Sequence, residues 1–335
     1  MQALVRIVGV LMMLTALAVS LTYAPDRSVE SLIARWALPP SDFMVVRGQL
    51  VHFRDQGPRD DPEPLVLIHG AAASLHTWQG WVAALRARKR VITFDLPGFG
   101  LTGPFTADGA RDDYRGDALA GFTLDFLDAL RVKRFAIGGN SLGGEVAWRV
   151  AARAPDRAAR LILVDSTGYD PGPADLPAAF KIARIPVFNH VAEYLTPRAL
   201  VEDGVKKAYG DPSRATDELV DRHFELLTRE GNRRALNLEL RQFLADRSPQ
   251  RIKTVHVPTL ILWGAKDRLV SPADARAFLR DIAGSRLVVF PALGHVPQEE
   301  DPRASVAPVR AFLGLDPAAP PPVPPAAAPA ASEPA

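Results

Sequence analysis

The sequence predicts a doubly wound α/β fold with an antiparallel entry, and three observations predict it. Short, largely apolar runs recur along the chain: LVLI at 65–68, VITF at 91–94, RFAI at 134–137, LILV at 161–164, LILW at 260–263 and LVVF at 287–290. Runs without a polar face suit parallel strands covered by helices on both sides. Between them lie amphipathic helical patterns, so strand and helix alternate. The composition agrees: 47% hydrophobic and 23% charged are the proportions of a globular protein, and 335 residues suffice for an α/β fold standing as one domain.

Composition also excludes several function classes. With 40 Lys and Arg against 38 Asp and Glu, the net charge is +2 and no basic block suggests a nucleic-acid partner. The absence of cysteine removes disulfides, thiolate zinc sites, iron–sulfur clusters and a Cys nucleophile.

From the N-terminus, residues 7–24 (IVGVLMMLTALAVSLTYA) carry no charge. As a helix they would measure about 27 Å, just short of a bilayer core of about 30 Å. Ala3, Leu4 and Val5 extend the run and Arg6 can snorkel to the headgroups. Residues 1–24 are therefore expected to be a membrane anchor or signal segment. The small-x-small sites at 16–18 and 18–20 cut inside the apolar run, and Ala24 precedes Pro25. An uncleaved single-helix anchor with an exported body is the favoured expectation, and secretion after cleavage the alternative.

A connecting segment, 25–42, leads to FMVVRGQLVHFRD at 43–55, a hairpin turning near Arg47-Gly48. Leu75, Trp78, Val82 and Leu85 share one helical face; Leu119, Phe122, Phe126 and Leu130 share another. Ser271-Pro272-Ala273-Asp274 supplies an N-cap, a proline at the first helical position and a capping-box carboxylate; Asp301-Pro302 opens the last helix similarly. The alternation breaks once, at 170–251, where helical patterns run without a good strand. Inserted after the sixth strand, this block should sit over the strand ends as a lid. Its apolar candidates are Phe180, Ile185, Val187, Phe188, Tyr194, Leu195, Phe224, Leu226 and Leu227. Arg184, Arg198, Arg222 and Arg229 are expected on a solvated face, where one could meet an acidic substrate. The core is then 43–169 with 252–315, and the Pro/Ala-rich stretch 316–335 is an extended, disordered tail.

Gly139-Asn140-Ser141-Leu142-Gly143 is a G-x-S-x-G pattern placed after a strand and before a helix carrying Val146, Ala147 and Val150. That context is what a nucleophile elbow requires, and a Cβ at 139 or 143 would collide with its neighbours. A serine hydroxyl needs a base. Of His52, His69, His76, His190, His223, His256 and His295, only His295 lies just past the last strand, on the edge where Ser141 lies. Asp267 follows the penultimate strand and is the preferred carboxylate to orient the imidazole, with Asp165 as its competitor. Oxyanion donors are expected from the backbone N–H of Leu142 and of Ala71, with Ala72 next. His69 is assigned to packing of that loop. The G-x-G-x-x-G pattern at 98–103 continues as loop, so no helix N-terminus is there to hold a pyrophosphate, and metal-spaced histidines are absent.

The order Ser141…Asp267…His295, the His69-Gly70 turn and the DLPGFG turn at 95–100 resemble the α/β-hydrolase superfamily over residues 43–314. The resemblance implies a mostly parallel eight-stranded sheet flanked by helices, no organic cofactor and no metal. Serine at 141 argues against the dehalogenases and epoxide hydrolases, which carry aspartate there. Esterases and lipases, hydrolases of ring-fission products that cleave a C–C bond, haloperoxidase-like enzymes and acyltransferases remain. The ring-fission hydrolases usually carry an aromatic residue after the histidine, where this chain has Val296. The expectation is hydrolysis of a small, possibly lipophilic carboxylic ester through an acyl-enzyme. C–C hydrolysis or acyl transfer is the alternative, and a non-catalytic ligand-binding role the different class. The oligomeric state is not legible.

Overall fold

The computed structural model describes residues 1–106, 112–171, 193–243 and 248–316, without the side chains at 15, 18 and 21. Phe180, Arg184, Ile185, Val187, Phe188 and His190, and the tail from 317 onward, lie outside the described residues.

Eight strands form one sheet: β1 (Asp42–Val46), β2 (Gln49–Gln56), β3 (Leu65–Ile68), β4 (Val91–Phe94), β5 (Phe135–Asn140), β6 (Ala158–Val164), β7 (Thr259–Gly264) and β8 (Arg286–Phe290). Their spatial order is β1-β2-β4-β3-β5-β6-β7-β8. Only the β1–β2 and β2–β4 pairs are antiparallel; the others are parallel. The hairpin turns at Arg47 and Gly48, both in the left-handed region at φ 49° and 79°, the geometry of the tight turn that matches strand twist.

Alternation along the parallel strands sends side chains to two cores. Val66, Ile68, Ile92, Phe94, Ile137, Leu163 and Trp263 pack on one face, against α4 (Gly116–Ala129), α5 (Leu142–Arg153) and α9 (Pro272–Asp281). Leu65, Leu67, Val91, Ala136, Ile162 and Leu262 face the other, against α3 (Gln79–Leu85) and α11 (Pro302–Phe312). Both faces are dry, which is why these strands are apolar throughout. Each fully buried Leu or Ile contributes about 1.5–3 kcal/mol relative to exposure. The face shared by Leu75, Trp78, Val82 and Leu85 is buried as expected, although its first turn is a 3₁₀ helix. The Ser271 hydroxyl caps α9 at Ala273 N–H, and Asp301 caps α11 at Ala304 N–H.

Between β6 and β7 the described residues form α6 (Arg198–Ala208), α7 (Asp217–Leu227) and α8 (Asn232–Gln242). The segment before β1 is tied to them. Arg27 N–H donates to Thr228 O at 2.8 Å and Glu230 N–H to Arg27 O at 2.9 Å. Within α2 (Val29–Trp36), Leu32 and Trp36 pack on Leu101 and Leu226, and the Trp36 indole donates to Glu225 at 2.7 Å.

The expected membrane anchor, and the localisation built on it, are corrected here. Among the described residues no helix is long and apolar enough to cross a membrane. The first helix is α1 (Gln2–Thr22).

Candidate active site

The C-terminal ends of β3, β5, β6, β7 and β8 meet along one edge of the sheet, and each delivers one polar element there. Ser141 stands between β5 and α5 at φ 55°, ψ −121°. A non-glycine residue in this region costs on the order of 1–3 kcal/mol and persists only where its surroundings enforce it. Here they do: Ser141 N–H donates to Val164 O at 3.0 Å, while Ser141 O accepts from Glu145 N–H and Thr167 N–H. A Cβ at Gly139 would meet Gly143 O at 2.1 Å, and one at Gly143 would meet Ile68 O at 2.2 Å. The turn therefore closes only with glycine at both positions. The N-terminus of α5 places its partial positive charge behind the serine.

His295, 5% exposed, follows β8, and its Nδ1 lies 2.8 Å from Asp267 Oδ2. The other Asp267 oxygen accepts from Leu269 N–H and Val270 N–H at 2.8 and 3.1 Å. With Nδ1 committed to a carboxylate, Nε2 is the ring position left for proton transfer. Among the described residues Ser141 Oγ makes no hydrogen bond to His295; such contacts are commonly loose before substrate binds. Asn140 connects the two loops: its Nδ2 donates to Val164 O at 3.1 Å and to His295 O at 2.8 Å.

Asp165, at the end of β6, is fully buried with φ 45°. Its Oδ1 accepts from Gly264 N–H at 2.9 Å, and its Oδ2 is buried with no hydrogen-bond partner among the described residues. Burial first, and then the neighbouring Asp267 charge, push the Asp165 carboxyl well above its ordinary range. Asp165, Asp267 and His295 form the one cluster of metal-ligand type among the described residues. The Nδ1–Oδ2 contact already joins a ring nitrogen to a carboxylate oxygen, a pairing that orients an imidazole.

Ala71 and Ala72 follow β3, Ala72 at φ 53°. The N–H groups of Ala71 and Leu142 find no acceptor among the described residues. The Ala72 carbonyl accepts from His223 Nδ1–H on α7 at 3.0 Å, and burial keeps His223 below its ordinary pKa and neutral. His69 lies beneath this loop, Nδ1 at 2.7 Å from Gly70 O and Nε2 accepting from Leu96 N–H.

Two positioning groups escaped the sequence reading. The buried Glu300 accepts from Gly294 N–H at 2.7 Å, Gly210 N–H at 3.0 Å and Asp211 N–H at 2.9 Å, joining the His295 loop to the end of α6. His223 clamps the loop after β3. A glutamate five residues past His295 and a histidine on an inserted helix carry no sequence signal of such contacts.

A family model described as alpha/beta hydrolase fold matches residues 63–302. The chain is 30% identical over 272 residues to the dihydrolipoyllysine-residue acetyltransferase component of an acetoin cleaving system from Pseudomonas putida, covering 80% of this chain and 68% of that protein. It is 30% identical over 264 residues to a 2-hydroxy-6-oxo-2,4-heptadienoate hydrolase of Pseudomonas putida, covering 76% and 90%. Among solved structures, a meta-cleavage product hydrolase from Pseudomonas fluorescens superposes with a TM-score of 0.69 at 26% identity, over 82% of this chain and 98% of that one.

Proposed function

The chain belongs to the α/β-hydrolase fold family, and from that premise we propose that it is a serine hydrolase acting at a carbonyl carbon, with a C–C bond next to a ketone as the bond cleaved. Ser141 is the nucleophile, His295 the general base and Asp267 the carboxylate that fixes the imidazole. His295 Nε2 takes the Ser141 proton as Oγ attacks the carbonyl, and Leu142 and Ala71 N–H hold the oxyanion. The carbon leaving group departs as a stabilised enolate and takes up that proton. Water, activated by His295, then releases the carboxylic acid. The helices between β6 and β7 serve as the lid over this site.

The observation that carries the choice of bond is the 30% identity to a 2-hydroxy-6-oxo-2,4-heptadienoate hydrolase over 90% of that enzyme, which moves the weight from the ester first expected toward the C–C bond. A specific departure keeps the ester as second reading: Val296 stands where ring-fission hydrolases usually carry an aromatic side chain. The experiment gives the protein and its Ser141→Ala variant both a 2-hydroxy-6-oxo-dienoate, followed by loss of its visible absorbance, and p-nitrophenyl esters of graded chain length. Serine-dependent turnover of the dienoate at the higher kcat/KM supports the C–C reading. Preference for the esters returns the assignment to carboxylesterase, and turnover that survives Ser141→Ala removes both.

A further inference from the structure

Arg54 on β2 is only 8% exposed, and buried charges normally carry an ion pair. Among the described residues no carboxylate lies within ion-pair distance of its guanidinium. Its Nε donates to Ser41 Oγ at 2.9 Å, a neutral acceptor. Its Nη2 lies 3.3 Å from His76 Nε2, but that nitrogen is 2.8 Å from the Trp36 carbonyl, which can only accept. The His76 proton must therefore sit on Nε2, so the guanidinium meets a donor there. Burial holds His76 at about 3, hence neutral. Asp95 attracts Arg54 from farther away, but its oxygens are already taken by Leu75 N–H, Leu101 N–H and His52 Nδ1 at 2.7–2.8 Å. Burial, the largest influence, pulls the Arg54 pKa down, the direction expected of an under-compensated cation.

The same guanidinium lines a cleft of about 180 Å³ between β2, β4 and α3. Arg86, Gln56, Gln79 and Thr93 share its polar side; Pro40, Leu75, Val82 and Ala83 form an apolar wall. Among the described residues no carboxylate lines it, and neither do Ser141, Asp267 and His295. Among the described residues Arg86 also forms no ion pair, and its guanidinium makes one hydrogen bond, a 3.5 Å contact to Gln56 Oε1.

From the unpaired Arg54 and the cleft it lines, we infer that this cleft is a second ligand site, distinct from the serine site, which binds a small carboxylate bearing a short alkyl group. The carboxylate completes the charge of Arg54 and Arg86, with the Gln56 and Gln79 amides as further donors. The alkyl group covers the wall from Pro40 to Ala83. Inorganic phosphate offers nothing to that wall, and the volume is below the usual range of about 300–1,000 Å³ for larger ligands.

The test is calorimetric titration of the full chain with butyrate, at ionic strength held constant with chloride. We expect saturable binding to one site with a Kd on the order of 1 mM, retained in Ser141→Ala. Arg86 is exposed, so Arg86→Gln should fold with an unchanged melting temperature and lose about tenfold or more in affinity. Arg54→Gln should lose at least as much; because it lies in the sheet, Arg86→Gln is the deciding variant. Absence of saturable binding would mean that the cleft holds water only and overturns the site. Equal affinity in Arg86→Gln places the ligand elsewhere and also overturns it. Phosphate binding more tightly than butyrate overturns the carboxylate assignment.

Discussion

Asp165 and Asp267, delivered by neighbouring strands β6 and β7, bring carboxylate oxygens within 4.8 Å of each other and of a His295 ring nitrogen, with all three residues buried. Two buried carboxylates this close cannot both ionise without several kcal/mol of repulsion, so the pair keeps one proton. Asp267, bonded to His295 and to two backbone N–H groups, is where the negative charge is best satisfied. Asp165 has one backbone donor, and burial together with the Asp267 charge pushes its carboxyl well above the ordinary range, which makes it the place for the proton. The two positions that compete in the sequence stand side by side.

Asp165→Asn tests this arrangement. The amide reproduces the protonated acid, accepting from Gly264 N–H through Oδ1 and presenting a donor toward Asp267. At neutral pH the variant should keep wild-type turnover within about threefold, and stability should change sign-specifically with pH. A folded-state pKa above the unfolded value of about 3.9 gives stability that is complete below that value and is lost as pH rises through the folded pKa. Melting temperatures from pH 4 upward should therefore decline more steeply in the wild type than in Asp165→Asn. Parallel curves would show that Asp165 does not hold the proton.

A second prediction concerns replacement of the acid. Asp267→Ala removes the partner of His295 and the charge that keeps Asp165 protonated, so Asp165 can ionise and serve in its place. Turnover should fall by about 10²–10³, less than the roughly 10⁴ typical when a triad carboxylate is lost without substitute. Asp165→Asn introduced into Asp267→Ala should then remove a further tenfold or more, although it is nearly silent alone. That non-additivity, read as a double-mutant cycle on kcat/KM, is the required result; simple additivity would separate the two carboxylates functionally.

The elbow and the sheet were legible because each rests on local rules. Gly139 and Gly143 are demanded by backbone contacts within a strand–turn–helix unit, and apolar strands such as 65–68 reflect burial on both faces. What escaped depends on long-range placement. Glu300 reaches the end of α6 ninety residues away, and His223 crosses 151 residues to Ala72. The N-terminal apolar run illustrates the opposite error: composition suggested a span, and among the described residues no helix qualifies.

His223→Ala should affect catalysis through the loop that carries the Ala71 donor. Removing the Nδ1–H···O bond to Ala72 frees a residue held at φ 53°, which can relax and misdirect the neighbouring N–H. Loss of one aligned oxyanion donor typically costs about 2.7–4 kcal/mol; partial misalignment should lower kcat by roughly ten- to a hundredfold with little change in KM. An equal rise in KM at constant kcat would instead assign His223 to substrate binding.

Glu300 provides the last prediction, because three backbone donors converge on its carboxylate from two elements. Glu300→Gln keeps the shape but turns one end of the acceptor into an NH₂ donor facing an N–H group. At least one bond must break or the side chain must turn, and hydrogen bonds to a charged group contribute about 1.5–3 kcal/mol each. The loss should appear twice. Stability should fall by roughly one such bond, and the His295 loop, left on α6 with the His295 N–H to Ala208 O bond at 2.7 Å, should lose part of its alignment with Ser141. The signature is a lower kcat with KM nearly unchanged, together with slower fluorophosphonate labelling of Ser141 at temperatures where the fold is intact. If labelling keeps its wild-type rate while the melting temperature drops, Glu300 stabilises the fold without positioning His295.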